Sequence, residues 1–178
     1  SRSIAAVSDS TVVLAGNKML TSLQLADGSV AWTNEIRNGH ISGTATNDGR
    51  VLQVPTSAPS IAYFDMSTGQ YLLSQSLPDQ ERLGNLLAIG GNVYSQNMTS
   101  LQAFGAKDLE PTDPKLDQAQ RLLLAGNNTE AIDLLTAEVL NRPEANDLRE
   151  LLTDVLLESL RVDFVKNSEH IPKIRELI

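Results

Sequence analysis

A strand–turn–strand pattern that returns after about 40 residues constrains this chain more than any other feature. Its first copy spans residues 20–32: Leu20, Leu23 and Leu25 precede an Asp27-Gly28 corner, and Val30 and Trp32 alternate after it. Alternating apolar residues on both sides of Asp-Gly predict two β-strands joined by a tight turn. The second copy spans residues 63–73 around Ser67-Thr68-Gly69, and Gly69 falls 41 residues after Gly28. A third, degraded copy spans residues 101–108. Leu23, Phe64 and Phe104 then lie 41 and 40 residues apart.

A period of this length, made of short strands, is the signature of a β-propeller with one four-stranded blade per repeat. Residues 3–105 are therefore expected to form antiparallel sheets of up to four strands, with Leu23, Trp32, Phe64 and Phe104 buried. The first unit has β-branched strands at 4–7 and 11–15 ahead of the hairpin, and Asn38-Gly39-His40 links it onward. The second has strands near 41–46, 50–54, 60–65 and 71–77, with Pro55 and Pro59 confining their connection to irregular or edge structure. After Pro78-Asp79-Gln80-Glu81 the third has strands at 86–89, 92–96 and 100–104, with a Gly90-Gly91 corner, and the stretch 108–114 offers no fourth.

These residues also resemble the repeat of the pyrroloquinoline-quinone-type, quinoprotein-like propellers, whose docking motif reads Ala-x-Asp-x-x-Thr-Gly-x-x-x-Trp. In the first copy Gly28 and Trp32 match, while Ser22, Gln24 and Asp27 replace Ala, Asp and Thr. In the second Asp65, Thr68 and Gly69 match, while Tyr63 and Leu73 replace Ala and Trp; in the third only Ala103 survives. The resemblance covers about residues 4–110. It implies a partial propeller of about three blades, the last incomplete, in which a large apolar residue wedges between neighbours. The chemistry of the turn agrees: Gly supplies its backbone conformation, and Asp or Thr caps it.

After Pro114 the apolar period changes from 2 to 3.6. Leu116, Ala119, Leu122 and Leu123 make a helical stripe that ends at Gly126, and a second helix runs through Ile132, Leu135, Val139 and Leu140 to Pro143. Ala119, Gly126, Ala131 and Pro143 are spaced as in a tetratricopeptide repeat, which this segment resembles; Glu138 departs from that pattern, standing where a small residue is usual. The pair 115–126 and 129–141 should pack antiparallel with Ala119 and Ala131 at the crossing. A long amphipathic helix over 146–165, including Phe164, and a short one over 171–178 follow. The fold expected is thus α+β and multidomain: propeller blades over 1–110 and a tetratricopeptide-like helical domain over 111–178.

Composition narrows the function. A net charge of −8 with no basic run argues against nucleic acid as a partner. With no cysteine there is no disulfide, thiolate nucleophile or Cys-based zinc site. No apolar run reaches the length of a membrane span. His40 and His170 stand apart in sequence without a metal-ligand spacing, and the carboxylates fall at turns and on polar helix faces. Asn97-Met98-Thr99 and Asn127-Asn128-Thr129 fit the glycosylation sequon.

No catalytic, cofactor or metal residue is therefore assigned. The expected role is a non-catalytic interaction or scaffold module with protein or peptide partners, part of a larger bacterial protein. The alternatives are a portion of a quinoprotein dehydrogenase or other larger enzyme, and a helical-repeat carrier with the propeller as spacer. The quinone site of such dehydrogenases, which the resemblance implies is built on a vicinal disulfide, cannot be assembled here. Resemblance to bacterial envelope scaffolds favours the periplasm. An open wedge of blades would leave apolar flanks uncovered, so a longer parent chain or a homodimer is expected.

Overall fold

The computed structural model describes residues 3–77, 82–90, 92–104 and 113–178. The chain divides into two compact units, Ser1–Leu109 and Glu110–Ile178. The first is all β and the second all α, so the fold class is mixed α+β.

The first unit is three antiparallel meanders. The first sheet is β1 (Ser3–Val7), β2 (Thr11–Ala15), β3 (Met19–Gln24) and β4 (Val30–Glu35), paired in that order. The second is β5 (Thr46–Asn47), β6 (Val51–Thr56), β7 (Ser60–Asp65) and β8 (Tyr71–Ser76), again in order. The third is β9 (Asn85–Ile89), β10 (Asn92–Gln96) and β11 (Leu101–Phe104). The expected absence of a fourth strand, the Pro78–Glu81 linker and half of the Gly90-Gly91 corner lie outside the described residues. The sheets adjoin along their first strands, β1 against β5 and β5 against β9.

Period-2 alternation decides which residues meet. In the first sheet Val13 stands opposite Ser22, and Ala15 opposite Leu20, all on one face. That face packs on the second sheet's Leu52, Val54, Ala62 and Phe64 to make one buried core. Phe64 is fully buried, with the Tyr71 ring edge-on at 5.6 Å. The opposite face of the second sheet buries Ile61, Leu73 and Tyr63. Tyr63 Oη donates to Gln75 Oε1 at 3.0 Å, and burial pushes its hydroxyl pKa up to about 12.

Three expectations need correction. Leu23, Trp32 and Phe104 are half-buried, unlike Phe64. Leu23 pairs with Val12 and Val30 on the face of the first sheet turned away from the core, where no described strand covers it. Pro55 lies inside β6, opposite Ile61 of β7, rather than in an irregular connection. Its carbonyl accepts from Ser42 N–H at 3.0 Å, on the side where β5 has not begun, so the missing Pro N–H costs no ladder bond. The expected strand 41–46 accordingly shrinks to Thr46–Asn47 plus one bridge from Ile41 to Thr56.

The second unit holds α1 (Pro114–Leu124), α2 (Asn128–Asn141), α3 (Asn146–Val162), a 3-10 turn (Ser168–His170) and α4 (Ile171–Leu177), each helix packed on the next. Asp113 caps α1, accepting from Lys115 N–H at 2.8 Å, and its other oxygen takes Arg142 Nη1–H at 2.6 Å. Gly126 ends α1 with paired bonds, its own N–H to Leu123 O and Asn127 N–H to Leu122 O. Ala119 and Ala131 are fully buried. Pro143 falls in the turn after α2. The third helix stops short of Phe164: Asp163 is extended and Asn167 Nδ2 donates to Ser159 O at 2.8 Å, which leaves the Phe164 ring exposed.

Candidate functional site

Of the repeat residues singled out in the sequence, Trp32 and Gly69 meet at the joint between the first two sheets. The corner of the first repeat closes with Gln24 N–H to Ser29 O and Gly28 N–H to Gln24 O. In the second repeat, Asp65 N–H to Gln70 O and Gly69 N–H to Asp65 O reproduce those bonds 41 residues on. Gly28 and Gly69 take φ values of +72° and +71°, a region that costs other residues about 1–2 kcal/mol. Asp27 accepts from Ser29 N–H at 2.9 Å, and hydrogen bonds from the Ser29 side chain and backbone hold its carboxyl below the usual range. Asp65 accepts from Ser67 and Thr68 N–H, both at 2.9 Å. Burial alone would raise the Asp65 pKa, but those bonds outweigh it and the net shift is downward.

Trp32 of the first sheet docks on the second repeat's corner. Its Nε1–H donates to Met66 O at 3.0 Å, and Asn34 Nδ2 donates to Gly69 O at 2.7 Å. The indole occupies the space a Cβ on Gly69 would need. Gly28, at the equivalent place one repeat earlier, has nothing within 4 Å of that position and is exposed. Leu23, Asp27 and Gly28 therefore sit on the uncovered flank, apart from Trp32, Phe64, Asp65, Thr68 and Gly69. Phe104 stands in β11 of the third sheet, opposite Val93. Ala119, Gly126, Ala131 and Pro143 belong to the helical unit and join none of these.

A cavity of about 840 Å3 opens at the loops that enter the second and third sheets. Two linkers cross at its floor. A Cβ on Gly43 would collide with Gly84 O, and one on Gly84 with Gln96 O, so the chain passes there only as glycine. Thr44 N–H and Oγ1–H both donate to Asn85 Oδ1, at 2.9 and 3.0 Å, and Gly84 N–H donates to Ser95 Oγ at 2.9 Å. His40 is held at the rim: Ser57 Oγ accepts from its backbone N–H and lies 3.0 Å from its Nδ1. The wall mixes these polar groups with Ile41, Leu83 and Met98. Sequence reasoning reached His40 only as a linker residue and missed the cavity. The available signal was the 41-residue spacing of Gly43 and Gly84, the same as that of Gly28 and Gly69.

Among the described residues no group of three His, Cys, Asp or Glu side chains is placed to hold a metal ion, and no helix is long and apolar enough to cross a membrane.

No family model matches the sequence, and no curated protein does. Among solved structures, the chain is similar to BamB from Moraxella catarrhalis, with a TM-score of 0.45 and 15% identity over 57% of this chain and 32% of that one. It is also similar to two computationally designed proteins. Ika8 has a TM-score of 0.45 and 16% identity over 56% of this chain and 31% of its own. Ika4 has a TM-score of 0.46 and 16% identity over 56% of this chain and 62% of its own. The chain thus spans about a third of the length of the first two and under two thirds of the third.

Proposed function

We propose that this chain is a non-catalytic protein-interaction or scaffold module. In this reading the three sheets are blades of a quinoprotein-like propeller and the helices a tetratricopeptide-like module. The observation that carries it is the outer face of the first sheet. A sheet with one solvated face ordinarily alternates apolar-in and polar-out. Here the outward set is apolar as well: Ile4, Val7 and Val30 are 58–61% exposed and flank Val12, Leu14 and Leu23. Contiguous apolar surface of this kind marks a contact site. Leu87, Ile89 and Leu101 leave the far side of the third sheet similarly bare.

Site-specific photo-crosslinking in the native cells tests this. A crosslinker at Val7 should give discrete protein adducts, while one at the exposed turn residue Asp48 should give none. Equal labelling at both positions, or none at Val7, would sink the reading.

A further inference from the structure

We infer that the cavity at the linker crossing binds a carboxylate of an extended peptide, with an apolar side chain beside it. The inference rests on the interaction-module reading only in taking the carboxylate to be a peptide's.

Three donor groups face no competing partner among the described residues. The Arg82 guanidinium makes no ion pair among the described residues, and no carboxylate lines the cavity among them, in a chain with 22 acidic residues. Asn85 has its Oδ1 occupied by Thr44, which fixes the amide and leaves its Nδ2 donors without a partner among the described residues. Ser57 Oγ accepts the His40 backbone N–H and lies 3.0 Å from its Nδ1; in the tautomer where Ser57 donates to Nδ1, Nε2 carries the ring proton, and it has no partner among the described residues. Beside these, Ser42 Oγ is buried in the wall with no hydrogen-bond partner among the described residues, a cost the fold carries in its unliganded form.

The donors match an oxyanion. Arginine presents a planar fork suited to the two oxygens of a carboxylate, and amide and imidazole N–H groups add charge-assisted bonds. Ile41 and the buried Leu83 supply an apolar wall, so a bare anion would use only part of the cavity. The glycine crossing holds the donors in place before any ligand arrives, and preorganisation lowers the entropy lost on binding.

Fluorescence anisotropy on the full 178-residue chain tests this with labelled Gly-Ser-Ser-Val-Leu, its C-terminal amide, and an amidated Gly-Ser-Glu-Leu-Gly. At least one acid-bearing peptide should bind about 10- to 100-fold more tightly than the fully amidated, uncharged one. Which one binds distinguishes a chain end from an acidic side chain. Arg82→Gln should bring acid and amide to the same affinity without changing the melting temperature, and Arg82→Lys should restore part of the difference. Equal binding of acid and amide, no binding at millimolar peptide, or an unaltered Arg82→Gln variant would overturn the inference. So would succinate competing as well as the peptides, since the ligand would then be a free carboxylate. Any of these would leave the Val7 crosslinking result standing, and its loss with peptide binding intact would remove only the sheet-face reading.

Discussion

Trp32 and Gly69 fit together as a side chain and the place where no side chain can be: the indole fills the position of the glycine's absent Cβ, and its N–H reaches Met66 O. Two mutations separate this contact from turn conformation. Gly28→Ala meets nothing and should cost only the left-handed backbone penalty, about 1–2 kcal/mol. Gly69→Ala adds displacement of the indole and should cost about 2–4 kcal/mol. Denaturant unfolding measures both, and emission from Trp32, the single tryptophan, should move to the red only in the second. Equal costs would mean that the indole shifts aside freely.

Gly84→Ala should disturb the cavity floor. Its new methyl would collide with the backbone at Gln96 rather than with a flexible side chain, so a linker must move. A loss of about 1–3 kcal/mol is expected, with amide chemical-shift changes concentrated at residues 43–44 and 95–97. Unchanged shifts there would contradict the crossing.

In the helical unit Ala131 is fully buried in α2, which packs between α1 and α3. Ala131→Leu should overpack this site and cost about 1–3 kcal/mol. Thermal unfolding decides it, and an unaltered melting temperature would show room that the packing does not display.

Asp113 should make the helical unit acid-sensitive. The Arg142 side chain, first, and the Lys115 N–H hold its carboxyl below the usual range. A carboxyl whose pKa is depressed on folding stabilises the fold fully above its unfolded value, and that contribution fades as pH falls through the lowered folded value. Asp113→Asn keeps a capping residue but removes the charge. Its stability should therefore change less than the wild type's between neutral pH and pH of about 3. Parallel pH profiles for the two proteins would rule this out.

The corners were legible because their chemistry is local: Asp-Gly and Ser-Thr-Gly announce a turn from a few neighbouring residues, and the same bonds close both. The strand faces followed from alternation, and Leu23, Phe64 and Phe104 each stand opposite an apolar residue of the preceding strand, Val12, Leu52 and Val93. Their unequal burial was not legible, because it depends on which sheet lies against each face. Pro55 misled for a related reason: a proline inside a strand is excluded only where its N–H would have bonded, and the neighbouring strand starts too late for that. The cavity escaped because Gly43, Gly84 and Gln96 are far apart in sequence and meet only where two linkers cross.

The joint between the first two sheets has a direction. One sheet gives an indole and an amide, and the next receives them at a bare glycine. Gly28 repeats the receiving half, so any sheet using this contact on the first sheet must arrive in the sense in which the first sheet meets the second. Two copies set face to face across a twofold axis would bring receiver to receiver, with no indole between them. Growth by this joint is one-way: repeated, it either comes full circle or runs on as an open array.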